Sequence, residues 1–147
     1  MTDWRAQIVA EARSWIGTPY HHMADLKGVG VDCGKFAFCV YRDAGLLRDE
    51  SFPHYSPDWM LARENDFLEA LFRARFDLAD SPEEGDAMLF RAGRNYCHLG
   101  IVARAAPLAI LHAAPEYGFV IEEEAARVQR IRRHLHDALI GRPKGLR

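Results

Sequence analysis

The sequence has few cysteines, no long apolar run and no excess of charge of either sign, and each absence excludes a class of protein. Its three cysteines form no CxxC pair, so we expect neither a disulfide framework nor a zinc ribbon. No stretch approaches the roughly 20 apolar residues of a membrane-spanning helix. With a net charge of −2, the overall balance does not favour nucleic acid as a partner. We therefore predict no membrane span and no nucleic-acid partner.

The first ten residues lack the apolar segment of a secretory signal peptide. The sequence therefore predicts synthesis in the cytoplasm, and a function in the cell envelope would require delivery by another component. The 147 residues match one domain of ordinary size, which we place at residues 1–147. No internal repeat, low-complexity segment or linker divides them.

Apolar spacing changes from helical to extended along the chain, and this change predicts the fold class. The spacing predicts helices over residues 3–16 and 33–43, with further helix starts at 56–58 and at 65 or 66. After Gly85 it predicts strands, with short turns between them, over residues 86–91, 97–103, 107–113 and 119–123 and a fifth candidate at 128–132. Helices followed by a meander indicate an α+β fold, with the helices packed on one antiparallel sheet.

Cys33 is the first candidate for chemistry. It follows a glycine-broken loop and precedes an apolar, helix-like run over residues 36–41. In the first turn of a helix, the dipole and the unpaired backbone N–H groups favour a thiolate, which is the attacking form of sulfur. The alternative is that Cys33 is a small core residue, as most free cysteines are and as we expect Cys39 to be.

Two histidines on neighbouring predicted strands supply a candidate base. If residues 104–106 form a three-residue hairpin loop, His98 lies directly opposite His112 on the same face of the sheet. Cys97 then points to the other face. One histidine can act as the base and the other can orient it, and with Cys33 they form the arrangement of a papain-like thiol hydrolase.

Two further features are less informative. His21 and His22 are adjacent, and neighbouring side chains on a regular element point apart, so we predict no metal site and no cofactor. Tyr20 fits either a core aromatic or a hydroxyl at the site, and the local sequence leaves both open.

Five segments in order resemble the NlpC-type cell-wall cysteine peptidases. They are residues 15–20 (WIGTPY), 31–33 (VDC), 84–90 (EGDAMLF), 98–102 (HLGIV) and 111–113 (LHA), which together span most of the chain. The resemblance implies a truncated papain-like fold, with the nucleophile at a helix N-terminus, and hydrolysis of peptidoglycan stem peptides. It implies Cys33 as nucleophile, His98 as base and His112 as the orienting residue.

The same resemblance assigns Tyr20, Asp32 and Gly34 to substrate binding and the oxyanion site. The family usually has Ser-Gly after the cysteine, where this chain has Gly34 and Lys35, and that serine commonly contributes to binding the free amine of the peptide. The absence of this serine therefore affects which stem peptides we expect the protein to bind. Lys35 fits either a solvated side chain or one that helps to hold the thiolate.

The long loop over residues 17–33 and the segment 55–59 (YSPDW) resemble the versions found in tailed phages, prophages and gene transfer agents. Those versions are thought to travel on the tail tip, so tail-tip proteins are expected partners and the cell envelope the expected site of action. Two other functions stay open: a structural tail component with an inactive peptidase fold, and a thiol amidase or acyltransferase.

The carboxyl-terminal end is basic and follows an acidic run over residues 122–124. We interpret it either as a solvated surface or as a docking surface for an acidic tail protein or the anionic wall. The docking hypothesis places the basic residues away from the catalytic ones. These are Arg127, Arg130, Arg132, Arg133, Arg142, Lys144 and Arg147.

Overall fold

The computed structural model describes residues 3–53 and 66–146, and the structural statements below refer to these two ranges. The predicted helix start at 56–58 and the segment 55–59 lie outside them. Within the two ranges, no helix combines the length and the apolar character needed to cross a bilayer.

The three larger helices precede the six main strands along the chain, as the apolar spacing predicts. Helix α1 spans Trp4–Arg13, α2 spans Phe36–Asp43 and α3 spans Phe67–Arg75. The side chain of Asp3 caps α1 by accepting the N–H of Arg5 at 3.0 Å. Helix α1 ends three residues before its predicted end, and α2 begins three residues after its predicted start.

The six main strands form one antiparallel sheet, which confirms the α+β class. They are β3 (Phe76–Ala79), β4 (Ala87–Ala92), β5 (Asn95–Ala105), β6 (Leu108–Ala114), β7 (Phe119–Glu124) and β8 (Leu139–Pro143). Their order is β3-β8-β4-β5-β6-β7, and every neighbouring pair is antiparallel. Strands β4 to β7 are the four predicted strands of the meander.

Three features of the sheet region differ from the prediction. Strands β3 and β8 were not expected, and a short hairpin of β1 (Asp25–Leu26) and β2 (Gly30–Val31) precedes α2. The fifth candidate strand, at 128–132, is wrong. It is the short helix α4 (Gln129–Arg133), because Val128 and Ile131 bury their side chains at helical spacing.

Apolar side chains are buried on both faces of the sheet. Ile8 of α1, Phe36 of α2 and Leu68 of α3 pack with strand residues in the larger cluster. The smaller cluster joins Ile131 of α4 to Met88, Phe90, Val102 and Ile110 of the sheet. Because both faces are covered, the central strands lack the regular alternation of buried and exposed residues, and β6 is buried over almost its full length.

Candidate active site

The turn that carries Cys33 is held by Asp32. The carbonyl oxygen of Asp32 accepts the N–H of Phe36 at 3.1 Å, and its Oδ1 accepts the N–H of Lys35 at 2.9 Å. Its Oδ2 accepts the N–H of Met23 at 2.8 Å, which ties the preceding loop to the same carboxylate. Cys33 therefore lies in a capped turn immediately before α2 rather than inside the helix.

Asp32 itself is buried, with 2% of its surface exposed, and both carboxylate oxygens are bonded to backbone groups. This geometry gives it a structural role in fixing the turn. Gly34 lies in the same turn. The predicted contacts of Asp32 and Gly34 with substrate stay predictions.

The sulfur of Cys33 is in contact with two groups from other segments. It donates to the carbonyl oxygen of Cys97 at 3.6 Å, and the hydroxyl of Tyr20 donates to it at 3.6 Å. Cys33 is buried, and this burial, together with the charge of Asp32, raises the pKa of its thiol to about 12. The expectation of a thiolate at rest is therefore wrong, because desolvation outweighs the helical turn.

Tyr20 is placed by backbone contacts with the turn between β6 and β7 and with β2. Its N–H donates to the carbonyl of Gly118 at 2.7 Å, and it forms an isolated parallel bridge with Val31. Burial raises the pKa of the Tyr20 hydroxyl, with Cys33 as the next cause. Of the two interpretations left open by the sequence, the structure favours a hydroxyl at the site.

The two strand histidines are bonded to each other. Nε2 of His98 lies 2.7 Å from Nδ1 of His112, and both rings are buried. They share a face, as predicted, but the register differs from the three-residue hairpin. Ile101 pairs with Leu111, which places His112 opposite the next residue, Gly100, and makes His98 its diagonal neighbour.

Gly100 provides the room for this diagonal contact. A Cβ atom built at Gly100 would lie 2.5 Å from Cγ2 of Ile110 and 3.6 Å from Cβ of His112. The register shifts between Val102 and Arg104, where an irregularity interrupts the ladder. The prediction of a direct pair is therefore wrong by two residues, although the even separation keeps both rings on one side.

Glu123 completes a chain of hydrogen bonds that the sequence interpretation missed. Its Oε2 lies 2.6 Å from Nε2 of His112. Burial lowers the pKa of both histidines, so both rings are neutral near pH 7. The carboxylate then fixes the proton of His112 on Nε2, and His112 Nδ1 must accept from His98 Nε2.

This proton arrangement leaves Nδ1 of His98 as a basic nitrogen. Nδ1 is buried and has no hydrogen-bond partner among the described residues. The pairing of β6 with β7 explains why Glu123 reaches His112. Ile121 lies opposite His112, and Glu123, two residues later on β7, points to the same face of the sheet.

Arg130 is the second site residue that the sequence interpretation missed. Its Nε and Nη2 donate to the two carboxylate oxygens of Glu116 at 2.7 and 2.9 Å. Nη2 also lies 3.4 Å from Nε2 of His98. Because arginine only donates and that nitrogen carries the His98 proton in the arrangement above, we treat the longer contact as electrostatic. The positive charge of Arg130 helps to lower the pKa of His98. It also lowers the pKa of the Cys33 thiol, against the larger increase that burial causes.

The predicted residues are thus joined in two groups. Cys33 contacts Tyr20, and His98 bonds His112. The sulfur makes no hydrogen bond to His98 in this structure; it reaches the backbone of the residue before that histidine, Cys97. Among the described residues, no group of three His, Cys, Asp or Glu side chains is arranged to hold a metal ion.

The basic carboxyl-terminal end does not act as one surface. Arg130 lies at the site, contrary to the expectation that this end is remote from it. Arg142 bonds the fully buried Asp86, with Nε at 3.1 Å from Oδ1, and belongs to the fold. Arg127, Arg132, Arg133 and Lys144 are exposed, so among the described residues the docking hypothesis rests on these four.

Comparison of the chain with protein-family models and with curated proteins finds no match. The resemblance to NlpC-type peptidases therefore rests on the five sequence segments and enters below as part of a proposal.

Proposed function

We propose that the protein is a cysteine endopeptidase of the NlpC type that hydrolyses peptide bonds in peptidoglycan stem peptides. The observation that carries the proposal is the hydrogen-bond chain from Glu123 through His112 to His98. It leaves one buried imidazole nitrogen, without a partner among the described residues, beside the segment that the sulfur of Cys33 contacts. A truncated papain-like fold is part of the same proposal, supported by a cysteine turn leading into α2 and by histidines on adjacent strands.

In the proposed reaction, His98 Nδ1 takes the proton of the Cys33 thiol as the sulfur attacks the carbonyl carbon of the substrate. The carbon–nitrogen bond then breaks, and the leaving amine receives the proton from His98. Water hydrolyses the thioester, again with His98 as the base, and the thiol is restored. His112 holds the ring of His98, while Glu123 stabilises the positive charge that develops on the pair.

The buried thiol places a requirement on this cycle. With a pKa raised to about 12, Cys33 is protonated until substrate binds, so proton transfer to His98 must accompany attack. Substrate entry must also bring the sulfur within reach of Nδ1, since site contacts often tighten in the substrate complex. The hydroxyl of Tyr20, already 3.6 Å from the sulfur, is suited to donate to the oxyanion or to the peptide.

The proposed place of action is the cell envelope, reached on a phage-like tail. This part rests on the resemblance of residues 17–33 and 55–59 to the tail-borne versions of the family. A tail-tip protein is the proposed carrier, and exposed basic residues such as Arg132, Arg133 and Lys144 are available to contact it.

The surroundings of Cys33 favour a second candidate function. Cys33 is 1% exposed, its thiol has a raised pKa, and its sulfur lacks a hydrogen bond to His98. These are the properties of a structural cysteine, and they suit a tail component whose peptidase fold no longer cleaves. A thiol amidase or acyltransferase would use the same residues as the peptidase.

Digestion of purified peptidoglycan, followed by mass spectrometry of the soluble fragments, tests the proposal. We expect fragments with new termini inside the stem peptides. Cys33→Ala should release none, and Cys39→Ala is the matched control because Cys39 is also buried but its sulfur faces the carbonyl of Asp25. Equal fragments from Cys33→Ala would overturn a thiol mechanism.

Other outcomes distinguish the remaining functions. Loss of an amide from the peptidoglycan without chain cleavage would indicate an amidase. Failure of the parent protein to cleave, together with slow labelling of Cys33 by a thiol-reactive probe, would support the structural component.

A further inference from the structure

Cys97 carries a buried thiol that the proposed mechanism does not use. Phe90 of β4 pairs with His98 of β5. The next residue, Arg91, pairs with Tyr96, so no residue of β4 lies opposite Cys97, which is the extra residue of a β-bulge. Its side chain is buried in the larger apolar cluster, and it is a free thiol in this structure.

The sulfur of Cys33 lies on the same side of the sheet as this thiol. Both cysteines belong to the larger cluster, and the sulfur of Cys33 is 3.6 Å from the carbonyl oxygen of Cys97. His98 points to the opposite face together with Phe90, which belongs to the smaller cluster. At rest, the proposed nucleophile is therefore next to Cys97 and makes no hydrogen bond to the proposed base.

The electrostatics of the two thiols agree with this proximity. Burial raises the pKa of Cys33 to about 12 and that of Cys97 to about 11. The charge of Arg130 lowers the pKa of each thiol, and a charge on Cys97 raises the pKa of Cys33. Because such interactions weaken with distance, the two sulfurs and the guanidinium must lie near one another.

We propose that Cys33 and Cys97 form a reversible oxidation site, at which hydrogen peroxide converts the two thiols into a disulfide. The disulfide would consume the attacking sulfur and hold it on the face of the sheet that His98 does not share. Formation of the disulfide is independent of the proposed peptidase function. Its expected effect on hydrolysis rests on that function.

The oxidation uses one peroxide molecule for each pair of thiols. One sulfur, as its thiolate, attacks an oxygen of hydrogen peroxide, the oxygen–oxygen bond breaks, and the leaving hydroxide takes up the thiol proton to become water. The other sulfur then attacks the sulfenic acid, the sulfur–sulfur bond forms, and the hydroxyl leaves with the second proton as water. The two sulfurs lose two electrons in total, and the peroxide gains them. Because burial keeps both thiols protonated, we expect the reaction to take minutes to hours.

Disulfide mapping by mass spectrometry tests the site. The parent protein is incubated with dilute hydrogen peroxide, treated with catalase, and unfolded in an excess of alkylating reagent. Trypsin then cuts after Lys35 and so places Cys33 and Cys39 on different peptides. We expect the peptide of Cys33 to be joined to that of Cys97 within one chain, with Cys39 alkylated. No such link, a link to Cys39, or a link between two copies would overturn the inference.

Two variants make the mapping specific. Cys39→Ala is the matched control, because Cys39 is also buried but its sulfur faces the carbonyl of Asp25, and it should form the same disulfide to the same extent. Cys97→Ala should form none, and its Cys33 should instead be oxidised to sulfinic acid, which dithiothreitol does not reduce. Fully reversible oxidation of Cys33 in Cys97→Ala would contradict the pairing. If Cys97→Ala does not fold, the link in the parent protein decides.

Hydrolysis of a soluble stem peptide tests the consequence of the disulfide. The rate should fall in proportion to the cross-linked fraction, so a parent protein that is about 90% cross-linked should keep about a tenth of its rate, and dithiothreitol should restore the rest. A cross-linked protein as active as the reduced one would overturn the inhibitory role. If the reduced protein cleaves nothing, the peptidase proposal fails, while a mapped disulfide still supports the oxidation site.

Discussion

Arg142 and Arg130, both near the carboxyl terminus, each bond a carboxylate, but the two groups differ in how many of their hydrogen-bonding atoms have partners. Asp86 is fully buried and receives Arg5 at 2.9 Å, Arg142 at 3.1 Å and the N–H of Glu83 at 2.8 Å. Every oxygen of that carboxylate is occupied. Around Arg130, by contrast, Nη1 has no partner among the described residues, and Nδ1 of the adjacent His98 is buried and unbonded.

This difference indicates that the Asp86 group stabilises the fold, whereas the groups around His98 are available for binding or reaction. A buried carboxylate with all its hydrogen bonds made has nothing to offer a ligand, and its removal leaves other groups unpaired. A buried nitrogen without a partner costs folding free energy and is retained where it can bind or react. We therefore expect substitutions in the Asp86 group to alter the free energy of unfolding and substitutions at the site to alter turnover.

The largest effect is expected at Cys33 and His98. Each alanine variant should reduce hydrolysis on the order of 10³-fold or more, because nucleophile and base act as a unit. The thermal midpoint should change little for Cys33→Ala, since one sulfur leaves a small cavity. Rates on a soluble stem peptide and a melting curve check both statements. Full turnover in Cys33→Ala would show that Cys33 is not a catalytic residue.

The Asp86 group should show the opposite pattern. Asp86→Ala should lower the free energy of unfolding by about 3 kcal/mol, because two arginines and one N–H lose their acceptor. Asp49→Ala is the control: its carboxylate is 79% exposed and, among the described residues, bonds Arg42 alone, so its cost should be about 0.5 kcal/mol or less. Denaturant unfolding measures both values. Similar costs for the two variants would contradict the structural role of the Asp86 group.

A smaller effect is expected at His112. His112→Ala should reduce kcat about 100-fold, and His112→Asn about 10-fold, because an amide can still hold the ring of His98. The order of the two variants is the informative result. If alanine were as active as the parent residue, the orienting role would be lost.

The last expected effect is on stability in acid. Burial lowers the pKa of His98 and His112 below the ordinary value of 6.5. The unfolded chain then binds these protons first, so the free energy of unfolding falls as the pH drops below 6.5, by at most about 1.4 kcal/mol per pH unit for each ring. Unfolding at pH 7.5 and pH 5 measures the loss.

A substituted ring isolates this contribution from that of the carboxylates. His112→Asn should lose less stability over the same interval, because one titrating ring is gone. His136→Asn, at an exposed position, should lose as much as the parent protein. A parent protein whose stability does not fall more than that of His112→Asn would show that the rings are not buried in neutral form.

The sequence predicted the helices and the meander because apolar spacing is a local property. It did not predict β3 and β8, since these short strands pair only with distant segments and each other. The position of Cys33 just before a helix follows from local spacing, but the raised pKa of its thiol depends on burial by distant segments, among them those of Tyr20 and Cys97. Arg130 was counted as one of several basic residues, because a charge run carries no information about which of its members turns inward.

Glycine at position 100 has a consequence for how the base can be adjusted. The two rings meet across a point where β5 presents only a hydrogen atom, and Ile110 already approaches it closely. A methyl group there would act as a spacer between the strands and lengthen the contact of His98 with His112, although it carries no charge and touches no substrate. The proton affinity of the site is therefore also a matter of strand separation, and purely apolar changes in this part of the sheet are a route by which it can be altered.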